Sequence, residues 1–140
     1  MDWKSSEIRV RAARRGLHDI TREVAGVLAD FGMREGMLFL FIRHTSASLC
    51  ISENYDPTAR RDLEAFLDRL APDGASWHEH TFEGDDDSPS HMRSIVTGTS
   101  LSIPVGGGKM LLGTWQGVYL CEHRKHPETR TILIRGLKAA

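Results

Sequence analysis

The sequence has little of several features that would place the chain in a specialised class of protein. Its two cysteines, Cys50 and Cys121, are too few for a disulfide-stapled scaffold, and both lie in apolar segments, so we expect buried, reduced thiols. The formal net charge of −1 leaves no basic field to hold nucleic acid. No apolar run has the length of a membrane-spanning helix, and residues 1–11 lack the apolar stretch of a secretory signal. These absences predict a cytoplasmic protein with neither nucleic acid nor membrane as a partner.

What is present is the composition of an ordinary globular domain, with 40% apolar and 26% charged residues. A chain of 140 residues can bury its own core, and we predict a single domain over residues 1–140. Alternating or continuous apolar residues predict strands, and helical spacing predicts three helices. The strands are predicted at 6–15, 37–42, 47–52, 101–105, 110–113, 118–121 and 131–134, and helices after Asp19, Asp56-Pro57 and Ser88-Pro89. This mixture predicts an α+β fold with a mostly antiparallel sheet.

A cluster of hydrogen-bond donors follows the predicted strand 37–42. Arg43 and His44 come first, and the hydroxyl groups of Thr45, Ser46 and Ser48 follow. A guanidinium with its forked donors, an imidazole and hydroxyl groups suit an anion such as phosphate. The alternative is that the hydroxyl groups only satisfy a turn.

Glu53 and Asn54 lie directly before the predicted helix start at Asp56. Glu53 ends an alternating strand, so its carboxylate could point into the same pocket opening as His44. The spacing alone favours the alternative, which is an exposed carboxylate without a role in a site.

Residues 78–91 hold three histidines and several carboxylates. Imidazole and carboxylate groups are ligands of divalent metals, so the segment predicts a site formed by His80, Asp86 and His91. Gly84 lets the chain turn sharply beside Asp86. The sequence contains neither an HExxH nor a CxxC pattern, and the alternative is a solvated acidic loop.

Trp115 and Gln116 lie between two glycines, and Glu122 ends the apolar strand that follows. An indole at a strand junction can wall a ligand pocket, and an amide can add hydrogen bonds to it. The commoner case is a tryptophan that closes the end of a sheet. His123 and His126 lie in a charged turn, and we expect both to be solvated.

The sequence resembles the YjbQ family in three long strings whose order and separation also match: HTSASLCISENYDPTARRDLEAFLDRL, EGDDDSPSHMRSIVTGTSLSIP and GTWQGVYLCE. The resemblance covers nearly the whole chain. It implies a compact α+β fold around a barrel-like sheet, assembly into homotrimers and a pocket near the subunit boundary. It also implies secondary thiamine-phosphate synthase activity, which joins a pyrimidine diphosphate to a thiazole phosphate and releases diphosphate.

The implied reaction needs a divalent ion for the leaving group, donors for the phosphates and an aromatic wall for the pyrimidine. The matching positions, together with the adjacent arginine, supply three sets of residues for these roles. The catalytic set is His44, Glu53 and Glu122, the substrate-binding set is Arg43, Ser46, Ser48, Asn54, Trp115 and Gln116, and the metal set for zinc or magnesium is His80, Asp86 and His91.

Two alternatives to the synthase reaction stay open. The same groups suit a metal-dependent phosphatase or hydrolase, in which the ion acidifies water and Glu53 or Glu122 is the base. A trimeric module that only binds a metal or a phosphorylated small molecule is the non-enzymatic alternative.

Overall fold

The computed structural model of the protein describes residues 1–139, which form eight strands and three helices. The strands are β1 (Asp2–Arg11), β2 (Gly16–Asp19), β3 (Gly36–Ile42), β4 (Ala47–Glu53), β5 (Ser100–Gly106), β6 (Lys109–Met110), β7 (Gln116–Glu122) and β8 (Thr129–Lys138). The helices are α1 (Thr21–Phe31), α2 (Pro57–Leu70) and α3 (Asp87–Thr97). These elements confirm the predicted α+β class.

The strands curl into an antiparallel half-barrel made of two sheets. The larger sheet has the order β1-β8-β3-β5-β6 and the smaller sheet the order β2-β7-β4. Apolar side chains from both sheets fill the space between them, and Leu38, Leu49 and Ile132 are fully buried there. In β4 the alternation predicted from the sequence marks the face that meets the core. The continuous apolar run of β3 also has only one such face, because Leu38 and Leu40 are buried whereas Phe41 is 49% exposed.

Helix α1 packs against the same core. Its apolar stripe includes Val24 and Leu28, both of which are buried. The predicted cap Asp19 lies one position too early, because Ile20 takes the N-cap position, although the N–H of Thr21 still donates to Asp19 Oδ1 at 2.9 Å. Gly32 ends the helix in the left-handed conformation, with φ of 62°.

Helix α2 and the small sheet form a second, thinner apolar layer outside the half-barrel. Leu67 of α2 packs with Tyr119 and Cys121 on the outer face of this sheet. Asp56 caps the helix and Pro57 is its first residue, as the sequence predicts. None of the helices within residues 1–139 is long and apolar enough to cross a membrane.

Two boundaries near the site differ from those that the sequence predicts. The strand predicted at 6–15 ends at Arg11, and the chain then forms β2 as a separate strand. Four residues are too few to show an alternating pattern, so only the pairing with β7 defines β2. Helix α3 begins at Asp87 and not after Ser88, because Asp86 takes the N-cap position.

Candidate metal centre

Four segments that are distant in the sequence meet at one end of the small sheet. They are the connection from β3 to β4, the loop before α3, the first turns of α3, and the connection from β7 to β8. Together they line an open, polar cavity of about 420 Å³. His44, Asp87, His91 and Arg130 lie on its wall, so the fold gathers most of the predicted polar residues at one place.

His80, Asp87 and His91 form a three-residue cluster on this wall. One ligand atom from each of them lies within 4.8 Å of the other two. His80 Nε2 is 2.8 Å from Asp87 Oδ2, and His91 Nε2 is 3.4 Å from the same oxygen. Asp87 and His91 are one turn apart on α3, so the helix itself places them on one face.

The cluster combines a buried anchor with accessible imidazoles. The side chain of Asp87 is 5% exposed, whereas that of His80 is 58% exposed. His91 Nδ1 lies 2.8 Å from the carbonyl oxygen of Thr45. A carbonyl oxygen only accepts, so Nδ1 donates to it, and Nε2 is the ring nitrogen that faces the cluster. Metal-ligating histidines are commonly oriented by such a bond to a backbone carbonyl.

The predicted metal ligand Asp86 does not lie in the cluster, and Asp87 stands in its place. Asp86 Oδ2 instead accepts from Arg124 Nε at 3.0 Å and from the Lys125 N–H at 2.9 Å. Burial opposes ionisation of Asp86, but these hydrogen bonds outweigh it and lower the pKa of its carboxyl group. The helical spacing explains the difference. Asp87 is four positions before His91 and shares its face of the helix, whereas Asp86 is five positions before it and does not.

Arg124 connects the loop to the cluster. Its Nη1 donates to Asp87 Oδ1 at 2.6 Å and its Nη2 to the carbonyl oxygen of Glu83 at 2.9 Å. These bonds leave Asp87 Oδ2 directed at the two histidines. Gly84, with φ of 108°, makes the tight turn that the sequence predicts, and a Cβ there would meet Asp86 Oδ1 at 3.1 Å.

His44 lies beside the cluster with its ring fixed by a backbone hydrogen bond. Its Nε2 accepts from the N–H of Thr131 at 2.9 Å, and its Nδ1 lies 3.4 Å from Arg130 Nη1. Burial, followed by the charge of Arg130, lowers the pKa of the His44 imidazole. This neutral ring is held as part of the wall, and Arg43 next to it is exposed and lines the same cavity.

Glu122 is predicted as a catalytic residue, but it forms a buried ion pair with Arg130 behind the cavity. Arg130 donates through Nη2 at 2.6 Å and through Nε at 2.9 Å. The backbone N–H of Arg124 adds a third donor at 3.1 Å. These donors occupy both carboxylate oxygens, and the role of Glu122 in the fold is to hold Arg130.

Ser46 and Ser48, which are predicted to bind substrate, are both buried. Ser46 lines the cavity, and its carbonyl oxygen accepts from Arg130 Nη2 at 3.2 Å. Ser48 is on the outer face of the small sheet, where its hydroxyl group lies 2.8 Å from His123 Nε2. The structure therefore does not bring Ser48 to the cavity.

His123 is wrongly predicted as solvated, because only 2% of it is exposed. Burial, followed by the charges of Arg93 and Arg130, lowers the pKa of its imidazole from 6.5 to about 3. The signal that could have shown this is the alternation of β7, which continues through Tyr119 and Cys121 to His123 on the same outer face. His126 is exposed, as predicted.

Four of the predicted residues lie at the opposite end of the small sheet: Glu53, Asn54, Trp115 and Gln116. Across the β4–β7 ladder, Glu53 faces Gln116 at one end while Ala47 faces Glu122 at the other. Strands of seven residues place these ends about 20 Å apart. Within one chain, the structure therefore does not bring this group to the metal cluster.

The residues of this distant group have local structural partners. Glu53 Oε2 accepts from the N–H of Tyr55 at 3.2 Å and from that of Asp56 at 3.1 Å. Trp115 packs edge-on against Tyr55 with ring centroids 4.8 Å apart, and more than half of it is exposed. Gln116 Oε1 accepts from the N–H of Gly113 at 2.7 Å. These contacts shape the loops at that end of the sheet.

A second open cavity of about 500 Å³ adjoins the polar one. The two share His44, Thr45, His80 and His91, and the second extends along α3 past Ile95. Its surface is chiefly apolar. The metal cluster therefore lies between an arginine-rich wall and an apolar wall, an arrangement that suits a ligand with an anionic end and an apolar end.

The fold and the cluster define a small α+β domain with a candidate metal centre in an arginine-lined cavity. The chain matches the family model described as UPF0047 protein YjbQ-like over residues 6–139. It is 46% identical over 132 residues to the UPF0047 protein YjbQ of Escherichia coli O157:H7. The match covers 94% of this chain and 95% of that protein. It is 43% identical over 120 residues to a UPF0047 protein of Synechocystis sp., which covers 86% and 82% of the two chains. The chain belongs to the YjbQ/UPF0047 family.

Solved structures support the same assignment. A Clostridium acetobutylicum protein, described as an uncharacterized conserved protein of the yjbq/upf0047 family, has a TM-score of 0.85 and 31% identity. The match covers 94% of this chain and 99% of that one. A YbjQ-like protein of unknown function from Sulfolobus solfataricus has a TM-score of 0.89 at 24% identity, with 99% of each chain covered, and this likeness shows the fold alone.

Proposed function

We propose that this protein is a divalent-metal-dependent enzyme that acts on a phosphorylated small molecule. The observation that carries the proposal is the cluster of His80, Asp87 and His91, whose ligand atoms lie within 4.8 Å of one another. Arg43 and Arg124 line the cavity into which this cluster faces. Guanidinium groups beside a metal ion can bind a phosphate from two sides and stabilise the charge that develops on it.

The composition of the cluster favours zinc over magnesium. Two imidazoles and one carboxylate are typical zinc ligands, whereas magnesium prefers oxygen ligands. Three protein ligands also leave a fourth position for water or substrate, as in catalytic zinc sites. A zinc ion held there would polarise a phosphate oxygen or acidify water. Arg124 and the carbonyl of Thr45 would keep Asp87 and His91 oriented toward it.

Within this class, the secondary thiamine-phosphate synthase reaction is our first proposal. Membership of the YjbQ/UPF0047 family motivates it. The reaction releases diphosphate, which is the kind of group that the metal cluster and the arginines suit. The adjoining apolar cavity has room for a pyrimidine ring along α3, beside Ile95. Trp115, to which the sequence assigns the stacking role, is too distant in the same chain to provide it.

Hydrolysis of phosphate esters is the second candidate, and the position of Trp115 favours it. A synthase needs an aromatic or apolar wall for one of its two substrates, whereas a hydrolase needs only a metal ion, water and donors for the anion. Glu53 and Glu122 are not placed to be its base. Glu53 lies at the far end of the sheet, and Glu122 is bound by Arg130 outside the cavity.

We also propose that the protein forms a homotrimer in the cytoplasm. The larger sheet exposes Trp3 on β1 and Phe41 on β3, which supports burial of this face against another subunit. The free cysteines support a reducing compartment. Light scattering at working concentration should give the mass of three chains, and a monomeric mass would contradict the trimer.

The enzymatic proposal is tested with protein stripped by a chelator and reloaded with zinc or magnesium. One portion receives the pyrimidine diphosphate and the thiazole phosphate, and another receives simple phosphate esters. We expect product from one of these reactions only with loaded protein. Asp87→Asn should lose both bound zinc and activity, while Asp85→Asn, a charge change on an exposed side chain of the same loop, should keep both.

Three outcomes separate the alternatives. Thiamine phosphate formation supports the synthase, and phosphate release from esters alone supports the hydrolase. Bound zinc without activity on either substrate class supports the non-enzymatic trimeric module. Wild-type protein that fails to bind zinc contradicts the metal centre itself.

A further inference from the structure

The two cysteines of the chain are in contact on the outer face of the small sheet. Their Sγ atoms are 3.5 Å apart, and both thiols are free. Cys50 lies on β4 and Cys121 on β7, and the ladder pairs Cys50 with Tyr119 and Ser48 with Cys121. The cysteines are therefore diagonal neighbours on one face, and their side chains point at each other.

The two thiols differ in access. Cys121 is completely buried in the apolar layer under α2. Cys50 is half-buried and lines a cavity of about 250 Å³ between the sheet and the helices, together with Phe66 and Val96. Cys121 also borders this cavity but exposes no surface, so Cys50 is the thiol that a small oxidant meets first. The cavity shares no lining residue with the two cavities at the metal centre.

The contact also divides the chemical roles of the thiols. The S–H of Cys121 donates to Cys50 Sγ, and this bond lowers the pKa of the Cys50 thiol. The same contact, followed by burial, raises the pKa of the Cys121 thiol. The accessible sulfur is thus also the one that is more readily a thiolate, which is the form that peroxides oxidise.

We propose that Cys50 and Cys121 form a peroxide-sensitive thiol pair that closes into an intramolecular disulfide. Hydrogen peroxide transfers one oxygen to Cys50 Sγ, which gives a sulfenic acid and releases water. Cys121 Sγ then attacks the Cys50 sulfur, the S–S bond forms, and the hydroxyl group leaves as a second molecule of water with the thiol proton. The two thiols lose two electrons and two protons, and one peroxide is reduced to two waters.

The position of the pair in the sheet makes this disulfide easy to reduce again. Diagonal neighbours in antiparallel sheets have Cα atoms about 7–8 Å apart, beyond the usual disulfide range of about 4.4–6.8 Å. Closing the bond therefore pulls β4 and β7 together and stores strain. Strained disulfides are the more labile ones, as expected of a reversible modification in a reducing compartment.

Peroxide treatment of the reduced, full-length protein tests the proposal. We expect the intact mass to fall by the mass of two hydrogen atoms, both titratable thiols to disappear, and a reductant to restore them. A matched pair of variants assigns the roles. Cys121→Ala should accumulate a sulfenic acid at Cys50 that a dimedone probe traps, whereas Cys50→Ala should keep Cys121 reduced.

Several results would overturn the pair. The first is wild-type protein that gains oxygen at Cys50 but retains the Cys121 thiol. The second is folded protein that keeps both thiols under a peroxide treatment that oxidises the urea-unfolded chain. The third is a disulfide-linked dimer on a non-reducing gel. The wild-type measurement decides the matter even if Cys121→Ala fails to fold. None of these results depends on the proposed enzymatic activity.

Discussion

Arg130 and Glu122 form a two-point ion pair that is almost completely removed from water. The side chains are 1% and 0% exposed, and their N–O distances are 2.6 Å and 2.9 Å. Arg130 also donates to the carbonyl oxygen of Ser46, so it ties β8 to both β7 and the start of β4. This pair forms the back of the cavity on whose open side the metal cluster lies.

Replacing one member of this pair should destabilise the fold and leave the metal centre in place. Glu122→Gln leaves the Arg130 charge buried without its counter-ion, and we expect the free energy of unfolding to fall by about 3–5 kcal/mol. Urea unfolding measures this loss, and zinc titration below the transition should give near wild-type affinity. Glu122→Gln/Arg130→Met should recover part of the stability. A Glu122→Gln protein as stable as wild type but inactive would instead make Glu122 a catalytic residue.

The choice between Asp87 and Asp86 as metal ligand is tested by zinc titration of the two asparagine variants. Asp87→Asn should weaken zinc binding by more than about 10–100-fold, the range found for loss of an outer-shell partner. Asp86→Asn weakens contacts to Arg124 and to the Lys125 N–H, neither of which is a metal ligand, and should have a smaller effect. Equal affinity in wild type and Asp87→Asn, with a loss in Asp86→Asn, would restore the assignment predicted from the sequence.

Buried, neutral His123 should make the stability of the protein fall as the solution is acidified. The unfolded imidazole binds a proton below pH 6.5, whereas the folded one does so only near pH 3. Between these pH values the unfolded state binds more protons than the folded state. The loss of stability caused by His123 is therefore absent above about pH 6.5 and grows to about 4–5 kcal/mol near pH 3. Urea unfolding from pH 7 to pH 4.5 should show a steeper loss in wild type than in His123→Gln. Parallel curves would contradict the prediction.

Arg43 should contribute to anion binding without supporting the fold. Arg43→Ala removes an exposed guanidinium from the cavity wall, and we expect phosphate affinity to fall about tenfold, equivalent to about 1.4 kcal/mol. Arg69→Ala, on the distant exposed side of α2, should not change it. The measurement is calorimetric titration with inorganic phosphate on zinc-loaded protein. A similar loss in both variants would indicate a general charge effect and not a site.

Trp115→Ala tests whether the far end of the small sheet belongs to a site in another subunit. If binding is confined to one chain, zinc and phosphate affinities should stay within about twofold of wild type, because distant positions act independently. A larger loss that appears only in trimeric protein would show that the indole of a neighbouring chain completes the pocket.

Much of the fold follows from local patterns in the sequence. The apolar faces of α1 and of the main strands, and the start of α2 at Asp56-Pro57, could be predicted because each depends on neighbours within a few residues. The short strand β2 could not, since its four residues acquire strand geometry only by pairing with β7.

The candidate site was predictable in its residue types and less so in their positions. His80 and His91 are where the sequence predicts them, but one turn of helix decides that Asp87, and not Asp86, faces them. The arginines that organise the site, Arg124 and Arg130, were missed because their partners are distant in the sequence. The separation of Trp115 from the cluster depends on strand length and register, which no single motif carries.

At the end of β7 the side chains of Glu122 and His123 point to opposite faces of the small sheet, and this fixes the register of the sheet. A shift of one residue against β4 would turn the imidazole toward Arg130 and push the carboxylate into the apolar layer under α2. Either change would leave a buried polar or charged group without its partner. The small sheet therefore tolerates only one register. The same register places Arg124, two residues after Glu122, where it donates to Asp87.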